Sequence, residues 1–147
     1  MIIGAMKSGT TSLYSYIKQH PNIFMTSIKE PMFFNNFNQK NNYFIKGSVR
    51  NKINTLSQYY ELFNSVKNED AIGEASPTYL YNHKCPEIIN KYLPNLKIII
   101  SLRQPAQRAY SNYLHSIRSG REPIKNFEKA IKEEEERIKN NWNPLYH

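Results

Sequence analysis

Apolar residues fall in short runs separated by polar, Asn- and Lys-rich stretches. Met1-Ile2-Ile3 is a very short apolar run, and a loop follows from Gly4 to Gly9. Residues 10–19 read as a helix, with Leu13, Tyr16 and Ile17 at helical spacing and His20-Pro21 as the stop. Ile23-Phe24-Met25 predicts a second strand, and the polar residues 35–54 a surface excursion. A helix is expected over 56–66, with Tyr59, Leu62, Phe63 and Val66 on one face. Ala71-Ile72-Gly73 is a third strand, followed by a turn at Ser76-Pro77. Residues 86–93 form a short helix that Pro94-Asn95 ends. Lys97 to Leu102 is the clearest strand, a continuous apolar run of the kind that parallel strands bury on both faces. Pro105 then opens a helix with Ala109, Tyr113, Leu114 and Ile117 inward, and Gly120 closes it. A last helix spans 126–140, with Phe127, Ala130, Ile131 and Ile138 inward and a solvated acidic run from Glu133 to Glu136.

Strands alternating with helices define an α/β class with a parallel sheet. Three or four short strands are few for a doubly wound sheet, and the end from Trp142 to His147 adds no closing element. The expectation is therefore the N-terminal part of a longer fold. At 147 residues the chain is one ordinary domain or a piece of a larger one. Its 13% aromatic content argues against wholesale disorder. Twenty Lys and Arg against 12 Asp and Glu give a net charge of +8, which points to an anionic partner without naming it. The basic residues are scattered and match no nucleic-acid-binding motif, so nucleic acid is not expected. Cys85 stands alone and excludes an intrachain disulfide or a Cys-rich zinc site. His20, His83, His115 and His147 lack metal-ligand spacing, so no metal is expected. No run approaches the roughly 20 apolar residues of a membrane span. Lys7 and Gly9 interrupt the place where an export signal would be apolar. These features predict a cytoplasmic protein with no membrane span.

The strongest motif is Gly4-Ala5-Met6-Lys7-Ser8-Gly9-Thr10-Thr11-Ser12, which follows a strand and opens a helix. Free N–H groups at a helix N-terminus and the helix dipole favour an anion there. Ser8, Thr10, Thr11 and Ser12 add hydroxyl donors, and Lys7 adds a point charge. The glycine spacing is that of a Walker A loop, but Thr10 stands where the lysine belongs, and the lysine has moved to position 7. A phosphate site and a plain Gly/Ser/Thr turn capping a helix both fit this motif taken alone. A nucleotide kinase does not fit, because it needs that lysine against the β- and γ-phosphates.

The run Lys7-Ser8-Gly9-Thr10-Thr11 after an apolar strand resembles the 5′-phosphosulfate loop of sulfotransferases that use 3′-phosphoadenosine 5′-phosphosulfate (PAPS). Ile99 to Pro105, followed by Arg108 to Tyr113, resembles the family's 3′-phosphate segment, whose arginine and serine fall on Arg103 and Ser111. Lys29-Glu30-Pro31-Met32-Phe33-Phe34 resembles the acidic and aromatic segment of the bacterial and glycan-modifying branches, whose catalytic base falls on Glu30. Gly73 to Tyr79 resembles the substrate-side strand and turn of the same branches. The resemblance covers roughly residues 1–120, with its segments in the family's order.

It implies a P-loop-NTPase-like three-layer fold with a central parallel sheet, truncated at the C-terminus. Residues 1–147 would form the N-terminal part of a single sulfotransferase domain. The implied co-substrate is PAPS, bound by Lys7, Ser8, Gly9, Thr10, Thr11 and Ser12 at its 5′ end and by Arg103 and Ser111 at its 3′-phosphate. Lys7 would offset charge on the departing adenosine 3′,5′-bisphosphate, and Glu30 would take the acceptor's proton. The acceptor would be a glycan or small molecule. Two departures stand out. Gln104 replaces the family's Asp or Asn and is a poorer helix N-cap. The family's basic C-terminal loop over the 3′-phosphate and adenine has no counterpart, so a non-catalytic remnant is the rival reading. Other roles also remain open. Glu30 fits a turn cap as well as a base, Glu74 fits a structural carboxylate holding the loop near Lys7, and Phe33-Phe34 fits core packing.

Overall fold

A computed structural model describes residues 1–37, 53–140 and 146. Contacts divide the chain into two units, Met1–Ala5 with Gly9–Ser101 and Met6–Ser8 with Leu102–His147.

The first unit holds every strand among the described residues. Its elements are β1 (Ile2–Gly4), α1 (Thr10–Ile17), β2 (Ile23–Met25), α2 (Phe33–Asn36), α3 (Leu56–Glu61), β3 (Ala71–Gly73), a 3₁₀ turn (Pro77–Tyr79), α4 (Cys85–Tyr92) and β4 (Ile99–Ile100). β1 pairs with β4 and β2 with β3, both in parallel. A parallel bridge from Ile2 to Ala75 joins the pairs, giving the order β2-β3-β1-β4. The Ile2 amide donates to the Glu74 carbonyl at 2.9 Å, and the Ser76 amide to the Ile2 carbonyl at 3.0 Å. The aromatic core lies around Phe33, Phe34, Tyr59 and Tyr79, with Phe33 stacked on Tyr59 at 4.6 Å between centroids. α3 starts on a capping box in which Thr55 and Gln58 satisfy each other's backbone amides.

The second unit is helical: α5 (Pro105–Arg118), α6 (Phe127–Lys132) and α7 (Glu134–Lys139). Tyr113, Ala130 and Tyr146 form its core. Gly120, at φ 68°, supplies the left-handed turn after α5. Arg137 is buried on α7 and grips the Glu122 carboxylate with both terminal nitrogens, at 2.6 and 3.0 Å.

The α/β class and the parallel pairing follow the sequence expectation, and several details do not. β4 is exposed: Ile99 keeps 41% and Ile100 48% of its surface, and Leu102 beyond it 77%, because strand pairing in the sheet plane does not cover the faces to which these side chains point. In α1 the inward aromatic is Tyr14, whose hydroxyl donates to the Thr26 carbonyl at 2.7 Å, while Tyr16 is exposed. The helix expected over 56–66 stops at Glu61 and gives way to turns. The helix expected over 126–140 breaks at Glu133, and Ile131 and Ile138 point outward. Leu114 is likewise exposed on α5, where Asn112 and Ser116 are buried instead. Phe33 and Phe34 are core residues, one of the two roles left open above. Most of the excursion expected over 35–54, residues 142–145 and His147 lie outside the described residues.

Candidate active site

The loop at residues 4–9 runs from β1 into α1. Gly4 is needed for close approach: a Cβ there would lie 2.7 Å from Leu80 Cβ and 3.1 Å from the Pro77 carbonyl oxygen. Paired bonds fix the loop's start to the end of β4, Ala5 N to Ser101 O at 2.7 Å and Ser101 N to Gly4 O at 2.8 Å. At the other end Gly9, at φ 83°, is the N-cap of α1. Leu13 donates to its carbonyl at 3.0 Å, which closes the first helical turn. Gly9 has no side chain to cap this end, and no acidic residue lies in the first turn. The helix N-terminus therefore keeps its positive field for an anion. Thr10 is buried, while Thr11 and Ser12 are exposed on the first turn.

Lys7 adopts φ 64°, a left-handed backbone that disfavours any side chain with a Cβ. Its carbonyl accepts from Arg103 Nη1 at 3.4 Å, so the structure brings these two predicted site residues together. Arg103 Nε also reaches Gln107 Oε1 at 3.5 Å. Ser111 follows Gln107 by one turn of α5 and shares its face. Gln104 caps α5 after all, accepting from the Gln107 amide at 2.8 Å. The poorer cap expected at this position is a working one, because the longer side chain still reaches the amide three residues on.

Glu30 follows β2 in the first unit and also has positive φ, at 58°, as does Met32 at 53°. Both expected catalytic residues thus sit on left-handed backbone, a conformation that clusters at functional sites when the surroundings enforce it. For Glu30 the enforcing contacts come from the turn after β3. The Glu30 amide donates to the Ala75 carbonyl at 3.0 Å, Met32 N to Ser76 Oγ at 3.1 Å and Phe34 N to the Tyr79 hydroxyl at 3.4 Å. Lys29 Nζ lies 2.5 Å from Glu30 Oε1, an ion pair that makes this oxygen less basic while it holds. A cleft of about 580 Å³ begins at Ser27 and Ile28, just before this segment, with Lys18, Gln58 and Glu61 among its polar walls.

The sequence allowed Glu74 as a structural carboxylate; its carboxyl lies in the aromatic core with Tyr59, Tyr79 and Cys85 among its electrostatic neighbours. It is 1% exposed, and burial pushes its pKa up to about 7, against the pull of the Ser76 and Tyr79 hydroxyls. Among the described residues no cluster of His, Cys, Asp and Glu is arranged to hold a metal ion. No described helix is long and apolar enough to cross a membrane.

Parallel strands alternating with helices, with a glycine-bounded loop between β1 and α1, define the class: an α/β fold with a parallel sheet. A sequence model of the sulfotransferase domain matches residues 1–144, and the chain belongs to that family. A crystal structure of a sulfotransferase from Alicyclobacillus acidocaldarius superposes with a TM-score of 0.83 at 36% identity. The match covers 99% of this chain and 60% of that one, and establishes a P-loop-like α/β fold. The membrane-associated sulfotransferase kil1 of Dictyostelium discoideum is 35% identical over 139 residues, 91% of this chain and 27% of that protein. The mouse bifunctional heparan sulfate N-deacetylase/N-sulfotransferase 4 is 33% identical over 130 residues, 84% of this chain and 13% of that protein. The chain thus spans little more than a quarter, or less, of the length of these two relatives.

Proposed function

We propose that this chain carries the donor-binding and base-bearing part of a sulfotransferase, which moves the sulfuryl group of PAPS to a hydroxyl or amine of a glycan or small molecule. The observation that carries the reading is the left-handed backbone at Lys7 with Arg103 hydrogen-bonded to its carbonyl. In this reading Lys7, Ser8, Gly9, Thr10, Thr11 and Ser12 bind the 5′-phosphosulfate, and Arg103 and Ser111 the 3′-phosphate. The bond from sulfur to the bridging oxygen breaks as the acceptor attacks in line. Lys7 offsets charge on the leaving adenosine 3′,5′-bisphosphate. Glu30 takes the acceptor's proton once its pair with Lys29 opens. The mixed polar lining of the cleft beside Ser27 and Ile28 favours a hydrogen-bonding acceptor of sugar size.

Calorimetric titration with adenosine 3′,5′-bisphosphate, 5′-AMP and ATP tests this. The bisphosphate should bind more tightly than 5′-AMP, and Arg103→Ala should abolish the difference. Binding of none of the three would favour a non-catalytic remnant. ATP binding without bisphosphate preference would overturn the assignment.

A further inference from the structure

Glu74 is a buried carboxyl that the reaction above leaves unused and that no arginine or lysine pairs. It stands at the end of β3, directly before Ala75, Ser76 and the 3₁₀ turn. Those residues supply the three acceptors that hold the Glu30 segment: the Ala75 carbonyl, Ser76 Oγ and the Tyr79 hydroxyl. Both Glu74 carboxyl oxygens are sealed from solvent, and neither has a partner at full hydrogen-bonding geometry, though the Ser76 and Tyr79 hydroxyls lie close enough to pull on the carboxyl. A buried polar group left this way is costly and calls for a reason. Yet Ser76 and Tyr79, the hydroxyls that act on this carboxyl, are the ones that receive the Met32 and Phe34 amides.

We propose that Glu74 is a positioning residue, a buried carboxyl that backs the Ser76 and Tyr79 hydroxyls and through them fixes the left-handed backbone carrying Glu30. The proposal rests on the reading of Glu30 as the base. It gives the turn a chemical state. As a neutral acid Glu74 sits in the aromatic core without charge. Once ionised it places a charge in the core that the Ser76 and Tyr79 hydroxyls and the Met1 amine offset only in part, and the core relieves that charge by admitting water. The Glu30 segment then loosens. The ionisable groups facing Glu74 are the Met1 amine, Tyr59, Tyr79 and Cys85. Burial raises the two tyrosines well above neutrality and Cys85 to about 11, so they stay neutral while Glu74 titrates. Burial lowers the pKa of the Met1 amine, which leaves it as the other group able to titrate in the same range.

Amide hydrogen exchange of the whole chain between pH 6 and pH 9 tests this. Protection of the Met32 and Phe34 amides, corrected for intrinsic rates, should fall as Glu74 ionises. The fall should approach about tenfold per pH unit, the limit for one proton. The Ile89 amide in α4 is the reference for global opening. Glu74→Gln keeps the shape and the neutral state, so its Met32 and Phe34 protection should not vary with pH. Any slope left in that variant belongs to the Met1 amine. Flat protection in the unmodified chain, or an unchanged slope in Glu74→Gln, would overturn the proposal. Should the variant fail to fold, the carbonyl stretch of a protonated carboxyl in the unmodified chain decides. It must vanish at the same pH midpoint as the protection, and a different midpoint refutes the link. The exchange readout needs no PAPS. A positive result without bisphosphate binding would keep the role of Glu74 in the segment and remove the catalytic reading. Bisphosphate binding with no exchange effect would do the reverse.

Discussion

Each unit of this chain buries one glutamate, and the two are treated in opposite ways. Glu122 in the helical unit has a fixed partner: Arg137 grips it through two nitrogens, and Tyr146 donates its hydroxyl to the same carboxylate. Burial alone would raise its pKa, but the Arg137 and Tyr146 hydrogen bonds and the Ile124 amide outweigh burial and lower it. Glu74 in the strand-bearing unit has hydroxyls, aromatic rings and the Cys85 thiol around it and no cation bonded to it; the Met1 amine acts on it only weakly, and burial wins. Burial by itself therefore does not decide the state of a carboxyl; what decides it is whether a cation is buried alongside. The paired glutamate ties α7 to the residues after α5. The other lies behind a turn that holds a candidate catalytic residue.

Removing the cation is the most severe way to break this contrast. Arg137→Met leaves Glu122 buried without its partner and should cost about 3–5 kcal/mol of stability, read by denaturant unfolding. Glu122→Gln in the same background should recover much of that loss.

Next comes the pH dependence. The folded state holds the Glu74 proton at pH values where the unfolded chain has released it. Stability should therefore fall as pH rises from the ordinary carboxylate range to about 7. By the size of the shift the loss is about 3 kcal/mol. Unfolding at pH 5 and pH 8 should show this decline in the unmodified chain and its absence in Glu74→Gln. Glu122 has the opposite sign: its contribution is present above the unfolded value and lost as pH falls through its lowered folded pKa.

The smallest effect isolates one hydrogen bond. Tyr146→Phe removes the donor to Glu122 and should cost about 1 kcal/mol, measured as a change in denaturation midpoint. An effect as large as that of Arg137→Met would mean that the tyrosine, not the arginine, holds the carboxylate.

The three-residue strands β1, β2 and β3 could be read locally because each is a compact apolar or small-residue run bounded by turn residues. The strand–loop–helix at residues 4–12 was legible for a similar reason, since its glycines, hydroxyls and lysine lie within nine consecutive residues. Inward faces were less legible. A continuous run such as Lys97 to Leu102 has no period, so nothing in it tells a covered strand from an exposed one. The burial of Arg137 in place of Ile138 depends on Glu122, fifteen residues earlier, and local periodicity cannot express that. The left-handed backbone at Lys7 and Glu30 was equally hidden, because neither residue type favours it.

The sequence by itself determined the α/β class, the strand–loop–helix at residues 4–12, the family and the identity of the candidate site residues. Each of these depends on residue type and spacing over a short stretch. The tertiary structure alone decided that Arg103 meets the Lys7 carbonyl, that the turn after β3 fixes Glu30, and that one buried glutamate is paired and the other is not. Those outcomes depend on which groups distant in the chain share the same space, and local spacing carries no record of that.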